Sequence, residues 1–139
     1  MKALIAWSVA LFGLACSTLQ VSSPNHDVGT TLPDTVSLRI GQTVRFGSVE
    51  IAFAGVPQDS RCPSDAVCVW AGNAVAEVTV GPAVGEGPTY QLPLNTTVGE
   101  RAGKAWGLLV ELLDLSPVPV STHPTRAEEY VLRLAVSAG

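Results

Sequence analysis

Thr35-Val36-Ser37-Leu38-Arg39-Ile40-Gly41-Gln42-Thr43-Val44-Arg45-Phe46-Gly47-Ser48-Val49-Glu50-Ile51-Ala52-Phe53 places an apolar residue at almost every second position. A period of two puts those side chains on one face of a strand and the polar ones on the other. Gly41-Gln42 marks a bend and Gly47-Ser48 a turn, so the stretch reads as a meander with one dry and one wet face. The same alternation recurs at Ala74, Ala76, Val78 and Val80, at Tyr90, Leu92 and Leu94, and at Tyr130, Leu132, Leu134 and Val136. Pro93 places the middle one of these at a sheet edge, and the Gly- and Pro-rich residues 81–88 form a loop. Residues 105–115 also fit a helical stripe through Leu108, Leu109, Leu112 and Leu113. Their shortness and the stop at Ser116-Pro117-Val118-Pro119 favour a strand. About seven short strands joined by turns predict an all-β fold, a small single-domain antiparallel β-sandwich or barrel. Strand order does not follow from the pattern.

Outward from this domain, residues 17–34 lack a sustained period and read as a flexible tether, so the β-domain spans 35–139. Ahead of the tether, Lys2 precedes an apolar run over residues 3–15 that is too short to cross a bilayer and fits a helical signal peptide, 1–15. Gly13 and Ala15 satisfy a small-x-small cleavage rule, which ordinary secretion would also use. Of the 139 residues, eight are Lys or Arg and twelve Asp or Glu. Lys2 is the leader's only charge, so the processed chain carries seven basic against twelve acidic residues. That balance argues against nucleic acid as a partner and against a polybasic grip on anionic lipid.

Three cysteines divide as one plus two. Cys16 ends the leader, while Cys62 and Cys68 close a short loop in Asp59-Ser60-Arg61-Cys62-Pro63-Ser64-Asp65-Ala66-Val67-Cys68-Val69-Trp70-Ala71-Gly72-Asn73-Ala74. In an oxidising compartment the default for such a pair is a disulfide staple. A redox-active pair is the alternative, although the spacing is wider than C-x-x-C. Asp59 suits a turn that accepts backbone N–H groups, and Arg61 can pair with Asp59 or Asp65. Trp70 is expected to pack on the disulfide or the sheet, with Gly72 allowing close approach. The sharper alternative makes Asp59, Arg61 and Trp70 a candidate partner-binding loop.

Gly13-Leu14-Ala15-Cys16 resembles a bacterial lipoprotein box. The resemblance implies lipidation of Cys16 and a membrane-anchored protein of the cell envelope. Ser17 resembles the outer-membrane sorting context of Gram-negative lipoproteins. Asp59-Ser60-Arg61-Cys62-Pro63 with Cys68-Val69-Trp70-Ala71-Gly72-Asn73-Ala74 resembles a motif of small uncharacterised bacterial envelope proteins, many of them lipoproteins. That likeness implies an address and a domain type, not a reaction.

Catalytic signatures do not emerge from the sequence. His26 falls in the tether and His123 beside Pro124, and no nucleophile elbow, zinc pair or phosphate loop is spelled out. A zinc site from Cys62, Cys68 and His123 competes poorly with the disulfide. Asn95-Thr96-Thr97 reads as a polar turn. The expectation is a non-enzymatic envelope lipoprotein with no cofactor and no metal, whose partners are the membrane through Cys16 and another envelope protein. The alternative is a secreted or periplasmic inhibitor-like module that presents the stapled loop.

Overall fold

Alternating strands need a second apolar face to cover the first, and in this chain two sheets supply it to each other. The computed structural model describes residues 31–139 and a two-residue strand ahead of them, β1 (His26–Asp27). The signal peptide 1–15, Cys16 and most of the tether lie outside the described residues. The strands that follow are β2 (Asp34–Arg39), β3 (Thr43–Phe46), β4 (Val49–Asp59) and β5 (Ala74–Pro82). After them come β6 (Tyr90–Asn95), β7 (Ala102–Ala105), β8 (Leu108–Ser116) and β9 (Val131–Ala138). One antiparallel sheet orders β3-β4-β5-β6, with β1 added in parallel at the β3 edge. The other orders β2-β9-β8-β7 and is antiparallel throughout. Among the described residues the fold is all-β apart from one 3-10 turn (Ala127–Glu129).

From β3 to β9 the chain follows an up-and-down circuit, and β9 returns to pair with β2. No ladder joins β2 to β3 or β6 to β7, so the circuit is a flattened sandwich, not a closed barrel. Its core takes Val36, Leu38, Leu132, Leu134 and Val136 from one sheet and Val44, Ile51, Phe53, Val78 and Val80 from the other, all buried. Among the described residues no polar side chain is buried with them. Pro93 sits on edge strand β6, where a missing N–H is tolerated.

Three local features depart from the alternation. The expected single meander is split, because Gly41-Gln42 carries the chain from β2 in one sheet to β3 in the other. Alternation fixes which face a side chain takes but not which sheet its strand joins. The stretch 105–115 contains strand, as expected, but begins with a two-residue hairpin turn at Trp106-Gly107, both with positive φ (53° and 71°). Such a turn ordinarily uses Asn-Gly. Here the Trp106 indole donates to the Pro88 carbonyl (3.0 Å) and its ring lies against Gly87, so a ring contact and a hydrogen bond hold a residue in a conformation it disfavours.

Bulges account for the third departure. The β8–β9 register shifts between Leu112 and Asp114, so Leu112 and Leu115, three residues apart, both face the core while Leu113 is exposed. This spacing is what imitates a helical stripe. In β4 the register shifts on either side of Gly55, which lets the strand run past Phe53 and Pro57 to Asp59. That extension carries Asp59 to the end of the sandwich where the stapled loop begins.

Candidate functional site

The connection between β4 and β5 leaves the sheet as a narrow neck. Ser60 N–H donates to the Asn73 carbonyl (2.8 Å) and Cys62 N–H to the Ala71 carbonyl (2.8 Å), continuing the ladder outward from Asp59 and Ala74. Gly72 has φ of 69°, and a Cβ there would lie 1.8 Å from the Ser60 carbonyl oxygen. Only glycine lets the two sides of the neck approach so closely. Beyond the neck, Cys62 and Cys68 form a disulfide with Cα atoms 5.9 Å apart, as the oxidising reading expects. Inside it, Ala66 N–H donates to the Pro63 carbonyl (3.1 Å) and closes a turn.

Neighbouring loops fix the flanks. Ser64 N–H donates to the Pro119 carbonyl (2.9 Å), and the Asp65 carboxylate accepts the Ser121 N–H (2.8 Å) and hydroxyl. On the other side the Asn73 side chain donates to Asn95 Oδ1 (2.8 Å). Its own oxygen accepts the N–H groups of Thr97 (3.0 Å) and Val98 (3.3 Å). Ala74 N–H donates to Thr96 Oγ1 (2.9 Å), so Asn95-Thr96-Thr97 is a polar turn docked on the loop's base. Removing the staple with Cys62→Ser and Cys68→Ser together should lower stability by about 2.4 kcal/mol on the chain-entropy model for a loop of about seven residues. Urea denaturation checks it, and because the neck and flanks remain, far-UV circular dichroism should not change.

Arg61 and Asp59 point inward. The guanidinium holds Asp59 through Nε (2.9 Å) and Nη2 (2.6 Å), a bidentate pair whose side chains are only 11% and 10% exposed. Arg61 also donates to the carbonyls of Leu115 and Pro117, the latter at 2.9 Å. Leu115 lies at the end of β8 and Pro117 just past it, where β7 has already stopped opposite Glu111. Arg101 serves the neighbouring stretch, donating to the carbonyls of Leu112 (3.0 Å) and Leu113 (3.1 Å). Two arginines thus satisfy carbonyls that the bulge and the short β7 leave without a ladder partner. Asp59 further accepts the Arg61 N–H (3.2 Å) and the Tyr130 hydroxyl (3.0 Å), so one carboxylate ties the first sheet to the start of β9.

Burial raises the Asp59 pKa, but the hydrogen bonds and charge of Arg61 outweigh it and hold the carboxyl below its ordinary value. Burial, then the Asp59 carboxylate, pushes the Tyr130 phenol above its ordinary value. A depressed carboxyl stabilises the fold above its unfolded pKa, and that contribution is lost as pH falls through the lower folded value. A raised phenol contributes below its unfolded pKa, and that contribution is lost as pH rises through the folded value. Stability should therefore decline below about pH 4 and above about pH 10. Denaturation across pH checks both limbs, with Tyr130→Phe expected to remove part of the alkaline one.

The three residues expected to form a binding loop therefore separate. Asp59 and Arg61 bond to the scaffold, with Arg61 also lining the groove beside the tip. Trp70 does not pack on the disulfide or the sheet as expected but stands 80% exposed, beside Val69 at 92% and Val67 at 104%. The staple and neck consume the loop's polar groups and leave the apolar tip with nothing to cover it. A shallow open groove runs alongside, lined by Arg61, Arg101 and Asp114 as well as Ala71, Leu113 and Val118. Among the described residues no group of three His, Cys, Asp or Glu side chains is placed to hold a metal ion. Asn73 and Ser121 were not singled out from the sequence, since side-chain to backbone bonds across loops leave no periodic trace. Comparison with known protein families, curated proteins and solved structures finds no match to this chain.

Proposed function

We propose that this chain is a non-enzymatic lipoprotein of the bacterial envelope, anchored through Cys16, whose β-domain acts as a binding module with the stapled loop as its contact element. The loop tip carries this reading: Val67, Val69 and Trp70 are solvent-facing on a segment fixed by a disulfide, a neck and two neighbouring loops. An ordered apolar tip loses little conformational entropy on contact, which is how rigid loops gain affinity. Large side chains of this kind are also what interfaces concentrate at their centres. The lipoprotein-like box at Gly13-Leu14-Ala15-Cys16 supports the anchor. The alternative, an unanchored secreted or periplasmic module, would present the same loop to a protein.

Mass spectrometry of the processed N-terminus separates the two, since an acylated Cys16 supports the anchor and cleavage without lipid removes it. The loop is tested by crosslinking in intact envelopes, wild type against Trp70→Ala. Trp70 stands largely in solvent, so Trp70→Ala should change stability by no more than about 0.5 kcal/mol. It should also lose the adducts formed at the loop, whether to lipid or to protein. Unchanged adducts from a folded variant would reject the loop as the contact element.

A further inference from the structure

Among the described residues nothing covers the loop tip, and three observations converge on what does. The first is chemical. Residues 66–71, Ala-Val-Cys-Val-Trp-Ala, carry no charge, and the adjacent Asp65 is occupied by Ser121. Val98 on the β6–β7 turn and Val118 on the β8–β9 loop are exposed at the same end of the sandwich, 71% and 55%. A tryptophan among valines is the composition that settles at a lipid–water interface, where the ring is apolar and the indole N–H stays wet.

The second is topological. Strand β1 runs parallel to β3, and β3 runs away from the stapled-loop end, so β1 starts at its end nearer the loop. The third is length. Cys16 lies ten residues before His26, a reach of about 33 Å when extended. His26 pairs with Val44, whose partner in β4 is Ile51, and the eight further residues to Asp59 cover about 26 Å to the base of the stapled loop. A tether of that reach is long enough to bring a lipid on Cys16 to the stapled-loop end of the sandwich.

We infer that the stapled-loop end is a membrane-docking surface, and that Val67, Val69 and Trp70 enter the interface of the bilayer in which Cys16 is anchored. The inference rests on the lipid-anchor reading and names the occupant of its contact element. The acyl chains hold the protein at the membrane, and the loop sets which way the domain faces. Because the processed chain is acidic, the contact is apolar insertion and needs no anionic headgroup.

The probe is the full processed chain, its N-terminal mass recorded, reconstituted in vesicles of zwitterionic phosphatidylcholine with and without bromine on the acyl chains near the headgroup. Trp70 and Trp106 are the two tryptophans after the leader, and they lie at opposite ends of the sandwich. Trp106→Phe leaves Trp70 as reporter, whose emission should fall about twofold in brominated vesicles and stay low in high salt, as interfacial burial of an apolar tip requires. Trp70→Phe leaves Trp106, which should be indifferent to bromine. If Trp106→Phe misfolds, the intact chain carries the same test, because Trp70→Phe should remove its lipid-quenched component. Val67→Asp with Val69→Asp should return Trp70 to water.

Equal quenching of the two tryptophans with Cys16 acylated overturns the docking surface and leaves the anchor standing. Quenching that persists in the double aspartate variant overturns it too, as does a discrete protein adduct from a photo-crosslinker placed at residue 69. An unacylated Cys16 overturns the anchor and the docking surface together.

Discussion

Arg61→Ala melts well below the wild-type protein, with a loss of about 3–4 kcal/mol, the range for removing one partner of a desolvated ion pair. Asp59 then keeps its largely buried carboxylate with only the Tyr130 hydroxyl and the backbone N–H to compensate it. The carbonyls of Leu115 and Pro117 lose their donor at the same time, where β8 has run out of ladder. For a domain of roughly 100 residues the shift in Tm is about 15–25 °C. Arg61→Lys should recover only part of it, since an ammonium can meet Asp59 but lacks the fork that reaches both carbonyls as well. Thermal and urea denaturation measure the effect. A variant that melts within about 1 kcal/mol of wild type would mean that the guanidinium is not what joins the two sheets here.

Gly72→Ala loses about 3 kcal/mol by another route. The added Cβ would lie 1.8 Å from the Ser60 carbonyl oxygen, against backbone that has no rotamer to yield, and φ of 69° is unfavourable for any residue with a Cβ. The neck must open, forfeiting the Ser60–Asn73 and Cys62–Ala71 hydrogen bonds at about 1 kcal/mol each. The core strands are untouched, so the damage should be local. Hydrogen exchange should rise at Ser60 and Cys62 and stay protected at Ile51 and Val78. Uniform deprotection, or none, would contradict that separation.

The alternation in Val36 to Phe53 and in Leu132 to Val136 made the all-β class and the inner faces legible before any coordinates. Pairing was not legible, because a period of two is the same in either sheet; β2 and β3 read as one meander and belong to opposite layers. The bulge at Leu113 and Asp114 concealed itself as helical spacing, since resetting the parity of a strand places Leu112 and Leu115 on one face. Trp106 hid a turn, as nothing in a tryptophan announces positive φ; only its contacts with Pro88 and Gly87 explain it.

At the loop, chemistry read residue by residue was a better guide to bonds than to orientation. Asp59 and Arg61 were natural partners in sequence, and the structure pairs them, but their inward direction depends on carbonyls at and just past the end of β8, more than fifty residues away. Trp70, the residue with most surface to hide, ends outside because the neck and staple leave its position no wall to lean on.

Strand β9 sits between β2 and β8, so Asp34 waits for Val136 and Leu112 for Leu134. A chain emerging from a ribosome or threading a translocon from its N-terminus can pair β3 through β6 early. It cannot assemble the second layer until the segment 131–138 has passed through. The order of synthesis therefore leaves the second layer without its central strand until the end, and the same strand that completes the core serves as the latch on its timing.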